Sequence, residues 1–178
     1  MSRPRPPQPA KLVIGMFTAE PPLQTAVAGE LAALFGSIDL VSPWWPFDQT
    51  DYYRKEMGGP LYRRMFVFRP LVDQGDLAAV KRNTNRLEKH FAASGRRRVN
   101  LDPGHLSMER FVLASGKNYT HRIYIGQGIY ADLTLVYRRG RYRTLEWTYP
   151  DYAGADIRNF LDRVRKKYAF DLKGSAQQ

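Results

Sequence analysis

Apolar residues recur at helical spacing in three separate stretches of the chain. The first runs from Leu23 to Phe35 and is followed by Gly36, the second from Leu77 to Phe91, and the third from Ala155 to Tyr168. In each stretch the apolar positions lie three or four residues apart, which places them on one face of a helix. The pattern therefore predicts three amphipathic helices that pack against a common core.

Shorter apolar and aromatic runs lie between these helices and predict strands, because they are rich in β-branched and aromatic residues. These runs cover Lys11–Phe17, Ile38–Phe47, Leu61–Leu71 and Val99–Leu101. The string Asp102-Pro103-Gly104 predicts a turn after the last of them. A short helix is expected over Met108–Ala114.

Residues 120–148 predict a three-stranded meander, because two turn signals divide them, one at Gly126–Gly128 and one at Arg139–Arg141. Pairing Tyr124 with Tyr130, and Arg138 with Tyr142, puts the apolar residues on one face. The predicted core face carries Ile123, Ile125, Leu133, Leu135, Leu145 and Trp147. The other face carries Arg122, Tyr124, Asp132, Thr134, Glu146 and Thr148, with Arg122 opposite Asp132 and Thr134 opposite Glu146.

The order of elements predicts an α+β fold in one domain, with a largely antiparallel sheet packed by amphipathic helices on one face. The two halves run parallel in outline, which suggests a duplicated βαββα unit. The domain is expected over residues 11–172. Residues 1–10, with four prolines and two arginines, predict a disordered basic arm, and residues 173–178 a polar tail.

Composition narrows the class of protein. The chain of 178 residues has no cysteine, which excludes disulfides, thiolate catalysis and Cys-ligated metals and agrees with a reducing compartment. No apolar run is long enough for a spanning helix or a signal peptide, so we expect a cytoplasmic protein that does not enter the membrane. The formal charge of +11 favours a polyanionic partner such as RNA or a phosphorylated small molecule. Much of the excess lies in three clusters, Arg96–Arg98, Arg138–Arg143 and Arg163–Lys167.

Complete catalytic signatures are missing from the sequence. No Gly-x-x-x-x-Gly-Lys-Ser/Thr string occurs, so P-loop nucleotide hydrolysis is not expected. The histidines His90, His105 and His121 are not at zinc-ligand spacing. The single His-x-Ser string at His105 has no twin, which argues against a two-histidine phosphoesterase. His121 is expected to point to the apolar side of the meander as a structural histidine.

Two readings of the polar face of the meander remain open. It is either an ordinary solvated sheet face, or the floor of a cleft into which Asp102 and Lys117 reach from adjoining loops. In the second reading an RNA- or nucleotide-binding module would use basic and aromatic side chains, since rings stack on bases and cations hold phosphates. Its candidate ligand-binding residues are Lys117, Arg122, Tyr124, Tyr149, Asp151 and Tyr152. The alternative is a phosphate-handling enzyme in which Asp102, Asp132 and Glu146 are catalytic or hold Mg²⁺. The sequence leaves cofactor, reaction and oligomeric state undecided.

Several strings resemble those of a prokaryotic family known as domain of unknown function 4416. They are Leu12–Phe17, Tyr52-Tyr53 with Glu56-Met57-Gly58, Asn100–Gly104, His121–Tyr124 with Gly128-Ile129-Tyr130, and Thr148–Tyr152. The resemblance covers about Lys11 to Leu172. It implies a small stand-alone domain and adds no mechanism. The family is expected to carry an aromatic residue after Asp-Pro-Gly, where this chain has His105.

Overall fold

The computed structural model describes residues 3–175. Its elements follow in the order β1 (Ala10–Thr18), α1 (Gln24–Phe35), β2 (Ile38–Val41), β3 (Trp45–Pro46), α2 (Arg54–Met57), β4 (Tyr62–Val72), α3 (Leu77–His90), β5 (Val99–Leu106), β6 (Arg110–Ser115), β7 (Arg122–Gly126), β8 (Ile129–Arg138), β9 (Arg141–Thr144), α4 (Pro150–Ala153) and α5 (Ala155–Ser175). All nine strands belong to one antiparallel sheet, so the predicted α+β class with a largely antiparallel sheet is confirmed.

The first half of the chain winds around β1. Strands β2, β4, β1 and β5 lie side by side in that order, and each neighbouring pair is antiparallel. The connection from β1 through α1 to β2 therefore leaves β4 between two parallel strands. This is the split βαβ arrangement of the ferredoxin-like βαββαβ motif. Both of its long helices, α1 and α3, pack on the sheet face that carries Leu12, Ile14 and Met16.

The second half extends the sheet in the order β6, β8 and β7, with β9 also paired to β8. Helix α5 covers the face that carries Val13, Met65 and Val67. Because successive strand residues point to opposite faces, this face lies opposite α1 and α3. The expectation of helices on one face is therefore wrong: the central strands are buried on both sides.

The predicted helix over Met108–Ala114 is also wrong, since β6 occupies most of that stretch. Four consecutive β6 residues, Phe111 to Ala114, are buried between the two helical layers. A short apolar run with no alternation does not distinguish a buried strand from a helix. The second half thus has no helix in the position of α1, and the expected duplication of a βαββα unit is not found.

The string Asp102-Pro103-Gly104 lies inside β5 instead of forming a turn. The pairing of β5 with β6 begins at Gly104, immediately after the proline. A Cβ atom on Gly104 would lie 2.5 Å from the carbonyl oxygen of Val112. Pro103 is tolerated because the edge of β5 toward β6 is not yet paired at this residue. Gly104 is required because the backbone of β6 comes very close to it.

The first hairpin of the meander has the predicted register, with Tyr124 opposite Tyr130 and Arg122 opposite Asp132. The second hairpin does not. Arg138 pairs with Arg141, one residue away from the predicted partner Tyr142.

The predicted core face of the meander also needs correction. Leu135 pairs with Phe111 while Leu133 pairs with Val112, so β8 contains one extra residue, Thr134. This β-bulge sends Leu133 and Leu135 to opposite faces. In addition, Ile123 is exposed. Strand β9 ends at residue 144, so residues 145–148 leave the sheet and the predicted Thr134–Glu146 pair is absent.

The chain ends differ in part from the expectation. Residues 3–9 have no helix or strand and are exposed, while α5 continues to Ser175 through the start of the predicted polar tail. The parts of the predicted arm and tail at residues 1–2 and 176–178 lie outside the described residues. Within the described range, no helix has an apolar stretch that could cross a membrane.

Candidate functional site

The site is built at an interruption in the edge of the sheet. Residues 129–132 of β8 pair with β7, and residues 135–138 pair with β9 along the same edge. Between them, the carbonyl of Leu133 accepts a hydrogen bond from Trp147 Nε1 at 2.8 Å, and that of Thr134 accepts one from Thr148 Oγ1 at 2.6 Å. The segment after β9 is thereby fixed across the gap. This segment covers the polar face of the meander near Asp132. The first alternative from the sequence, an ordinary solvated sheet face, therefore does not describe this part of the sheet.

Asp132 lies behind this segment and is only 1% exposed. Its Oδ2 accepts a hydrogen bond from Arg122 Nε at 2.9 Å and lies 3.1 Å from His121 Nε2, while Thr134 Oγ1 donates to Oδ1 at 3.2 Å. A buried carboxylate needs such partners, because an unpaired charge there is costly. Asp132 therefore orients both His121 and Arg122.

An open cavity of about 490 Å³ lies next to this carboxylate. Its walls are Tyr119, Thr120, His121, Arg122, Glu146, Trp147 and Tyr149. The ring of His121 stacks on Trp147 at a centroid distance of 5.0 Å and an interplanar angle of 10°. Tyr119 and Trp147 are 65% and 39% exposed, so their rings remain accessible. The cavity thus offers aromatic surfaces beside a guanidinium group.

Arg122 is mainly a structural link between the walls of the cavity. Its Nη1 donates to Ser115 Oγ at 3.0 Å and to the Lys117 carbonyl at 2.9 Å, and its Nη2 donates to the Tyr149 hydroxyl. With the bond to Asp132, these contacts use four of the five N–H groups of a guanidinium. One N–H on Nη2 is left to donate to a ligand.

Lys117 supplies a further cation beside the site. Its Nζ lies 4.7 Å from the ring centroid of Tyr52 and donates to the Tyr52 hydroxyl at 3.2 Å. Its own backbone carbonyl holds Arg122. The loop after β6 and the segment before α2 are thereby joined next to the cavity.

A second group of polar residues lies in the core, and we call it the Arg63 cluster: Arg63, Asp102, Asp151 and Tyr152. The guanidinium of Arg63 is 3.2 Å from Asp102 Oδ2 and 3.0 Å from Asp151 Oδ2. Arg63 is 3% exposed. Its guanidinium carbon lies 4.8–5.3 Å from the ring centroids of Phe17, Phe47 and Tyr152. One buried cation thus joins β4, β5 and α4.

The Arg63 cluster lies against the backbone of β1 at Gly15. A Cβ atom there would lie 3.1 Å from the Tyr152 hydroxyl and 3.3 Å from Arg63 Nη1. Glycine is therefore the residue that leaves room for these two groups.

The ionisation of the cluster follows from burial and pairing. Burial lowers the pKa of Arg63, but Asp151, Tyr152 and Asp102 outweigh it and hold that pKa above the ordinary arginine value. Burial raises the pKa of Asp151, and Arg63 offsets this only in part. Arg63 therefore stays charged at all ordinary pH values, whereas Asp151 is easier to protonate than an exposed aspartate.

Tyr53 connects the two groups. Burial and then the nearby charge of Asp102 raise the pKa of Tyr53 to about 12, and Tyr149 contributes in the same direction. The ring of Tyr53 meets that of Phe17 edge-on at 4.7 Å. Tyr149 of the cavity wall and Asp151 of the Arg63 cluster are two residues apart in the chain, so the cavity and the cluster adjoin each other.

A family model described as Domain of unknown function (DUF4416) matches residues 8–168. The chain belongs to this family. The match includes the cavity and the Arg63 cluster and confirms the resemblance indicated by the sequence strings. Neither a curated protein nor a solved structure matches the chain. Family membership assigns no activity to the chain.

The structure divides the predicted site residues into groups. The cavity wall includes Arg122, Glu146 and Tyr149, Asp132 lies directly behind it, and Lys117 lies beside it. The Arg63 cluster contains Asp102, Asp151 and Tyr152. Tyr124 joins neither group: it packs on Tyr130 at a centroid distance of 5.3 Å and does not line the cavity.

The candidate magnesium ligands are not brought together. Asp102 is held by Arg63 and by Asn100, whose side-chain amide donates to it at 2.9 Å, while Asp132 is held by His121 and Arg122. Among the residues that the structure describes, no group of three or more His, Asp or Glu side chains could hold a metal ion. The carboxylate-based enzyme therefore gains no support from the geometry.

Some residues of the site were missed or misplaced by sequence reasoning. Trp147, predicted for the core, lines the cavity because β9 ends at Thr144. His121, predicted for the apolar side, also lines it and lies just before β7, outside the strand. Arg63 was not considered. A signal for it exists: it alternates with Met65 and Val67 in β4, and period-two spacing puts all three on the buried face.

Proposed function

We propose that this protein binds nucleotides, either free or as units of RNA, in the cavity lined by Tyr119, Trp147 and Tyr149. The observation that carries the proposal is the set of accessible aromatic rings around one open cavity, next to a guanidinium group. The volume of about 490 Å³ lies within the range of small-ligand sites. Nucleobases suit such a site because each has a flat face that stacks on aromatic rings.

The rings of the cavity are held in place from behind. The Trp147 indole is fixed by its bond to the Leu133 carbonyl and by the stacked ring of His121, which Asp132 orients. Rings that are already fixed lose little conformational freedom when a base stacks on them, which favours binding. Stacking contributes about 1–3 kcal/mol per base in single-stranded RNA complexes.

In this proposal, cations near the cavity bind the phosphate group of the nucleotide. Arg122 retains one N–H donor for a ligand, and the ammonium group of Lys117 lies close by at the Tyr52 ring. We assign the main affinity to stacking and a smaller part to these cations, because Asp132 already neutralises Arg122.

The test compares two exposed tyrosines near β7. Tyr119 lines the cavity and is 65% exposed, whereas Tyr124 lies outside it and is 59% exposed. We expect Tyr119→Ala and Trp147→Ala to weaken binding of mononucleotides and labelled single-stranded RNA by about 10- to 100-fold in calorimetric and anisotropy titrations. Tyr124→Ala should bind like the parent protein.

The proposal fails if the parent protein binds neither ligand, or if Tyr124→Ala loses as much affinity as Tyr119→Ala. Circular dichroism and urea unfolding of each variant separate a lost contact from a lost fold. For location we propose the cytoplasm, on the ground that a chain without cysteine suits a reducing compartment.

A further inference from the structure

Four arginines lie next to one another on the outer part of the sheet, and we call them the arginine patch: Arg110, Arg138, Arg141 and Arg143. Arg110 and Arg143 pair with Val136 from its two sides, and Arg138 pairs with Arg141 two residues further along β8. Paired residues share a face, as do residues two apart in a strand. All four side chains therefore leave the sheet from one face. Strand spacings of about 4.8 Å place them within an area of about 10 by 7 Å.

This face is the one opposite α5. Tyr137 pairs with Tyr142, and Tyr142 is buried in the core with α5. Their sequence neighbours in the patch must point the other way, because strand residues alternate between faces. Three of the four arginines are exposed and Arg143 is half-buried. The patch is therefore separate from the cavity, which lies on the α5 side of the gap in the sheet edge.

The other two basic clusters found in the sequence contain ion pairs. In the first, Arg97 pairs with Glu56 at 2.6 Å, and Arg98 pairs with Glu20. In the third, Lys167 pairs with Asp39 at 3.1 Å. By contrast, in the described part of the chain no member of the arginine patch has an ion pair or a hydrogen bond through its side chain. The arginine patch thus holds four cations on one small surface with no carboxylate partner among the described residues.

Four unpaired cations at this spacing oppose folding, because like charges directly across a strand pair repel one another. A polyanion removes that repulsion and gains from releasing its own counterions. We propose that the arginine patch binds the phosphate backbone of a nucleic-acid strand. This surface goes beyond the proposed nucleotide cavity and does not depend on it.

The patch fits a backbone better than a membrane surface. Among the described residues, Val136 is the one apolar residue paired with the patch arginines. It is half-buried, so the patch offers little apolar surface to insert between lipids. Guanidinium groups are also the side chains best suited to phosphate oxygens. Recognition of this kind is independent of base sequence.

The test uses two triple variants with the same loss of charge. The patch variant is Arg138→Gln with Arg141→Gln and Arg143→Gln. The control variant is Arg82→Gln with Arg86→Gln and Lys89→Gln, three exposed cations of α3. The probe is a labelled single-stranded RNA of about 12 nucleotides, a length within the range that such proteins cover. Binding is measured by fluorescence anisotropy at several salt concentrations.

We expect the logarithm of the association constant to fall less steeply with the logarithm of salt concentration in the patch variant, by about 2 in slope for three lost phosphate contacts. At low salt its affinity should fall at least about tenfold. The control variant should keep the parental slope. Urea unfolding should show that the patch variant is as stable as the parent or more so, because its arginines no longer repel one another.

Equal slopes in the patch and control variants would overturn the proposal, since net charge alone would then explain binding. Patch-dependent binding to phosphatidylserine vesicles without binding to RNA would overturn it in favour of a lipid surface. Trp147→Ala separates the two sites. If that variant keeps the full salt dependence for RNA while mononucleotides fail to bind the parent protein, the cavity proposal fails and the arginine patch stands.

Discussion

His105 makes the stability of this protein sensitive to mild acid. The residue lies in β5, between Leu12 of β1 and Val112 of β6, and is 6% exposed. Its Nδ1 is buried without a hydrogen-bond partner. Burial, with a smaller contribution from the charge of Arg110, lowers the pKa of His105 to about 4. The ring therefore stays neutral in the folded protein at pH values where an unfolded chain protonates it.

The size of the effect follows from the two pKa values, about 4 when folded and 6.5 for an unperturbed histidine. Between about pH 7 and pH 5 the unfolded chain takes up about 0.7 of a proton at this position and the folded protein almost none. The free energy of unfolding therefore falls by about 2 kcal/mol. The contribution of neutral His105 to stability is thus fully present above the pKa of the unfolded chain and is lost as pH falls below it. The loss levels off at about 3 kcal/mol below the folded pKa.

The measurement is urea unfolding, followed by circular dichroism at pH 7 and at pH 5, for the parent protein and for His105→Phe. Phenylalanine places an aromatic ring that does not titrate at this position. We expect the variant to lose about 2 kcal/mol less than the parent between the two pH values. Carboxylates elsewhere titrate in both proteins and cancel in this difference.

His90→Gln is the matched control, because His90 is an exposed histidine at the end of α3. Its pH dependence should equal that of the parent protein. If His105→Phe and the parent lose the same free energy between pH 7 and pH 5, burial does not suppress protonation of His105 and the reasoning is wrong.

Two further predictions concern the Arg63 cluster. Gly15→Ala should lower the free energy of unfolding by about 1–3 kcal/mol in urea titrations, because the new methyl group would lie 3.1 Å from the cluster's tyrosine hydroxyl. Gly29→Ala is the control: its new methyl group meets no atom within 4 Å, so it should stabilise α1 by about 0.5–1 kcal/mol. Similar changes in unfolding free energy for Gly15→Ala and Gly29→Ala would contradict the packing argument. Arg63→Met should lower the free energy of unfolding by about 3–5 kcal/mol at pH 7, because it leaves the buried carboxylate of Asp151 without its cation. The loss should be smaller at pH 5, since the pKa of Asp151 is raised in the folded protein and protonation removes the unpaired charge. Arg69→Met is the control, since Arg69 is exposed, and it should change the free energy of unfolding by less than about 0.5 kcal/mol. If the loss in Arg63→Met does not depend on pH, Asp151 does not have the proposed role.

Much of the fold was predictable because its signals are local. The three long helices were predicted from apolar spacing, and the apolar residues Ile157, Phe160 and Val164 in the third of them are buried. The register of β7 with β8 also followed from pattern and turn, since the Gly126–Gly128 signal lies directly between the two strands. Strand β6 was misassigned because a run that is buried on both faces shows no alternation.

The candidate site was predictable only in part. The strings that carry Asp102, Arg122 and Tyr149 were recognised, but their arrangement was not. The bulge at Thr134 changes the face of every later residue in β8. It lies in the pairing of β8 with β6, which could not be anticipated because most of β6 was predicted as a helix. The gap between β7 and β9 lies at that bulge, and the cavity beside Trp147 lies where the chain leaves the sheet after β9.

The sequence by itself determined the α+β class, the long helices, the first hairpin and the excess of positive charge, because periodicity, turn residues and ionisable groups act over a few neighbouring positions. Apart from the Arg122–Asp132 pair of the first hairpin, only the tertiary structure decided which charges are neutralised. Arg63 meets carboxylates from distant segments, whereas the arginine patch meets none in the described residues. An ion pair acts over a few ångströms in space, and its partners are chosen by the strand order that brings remote residues together.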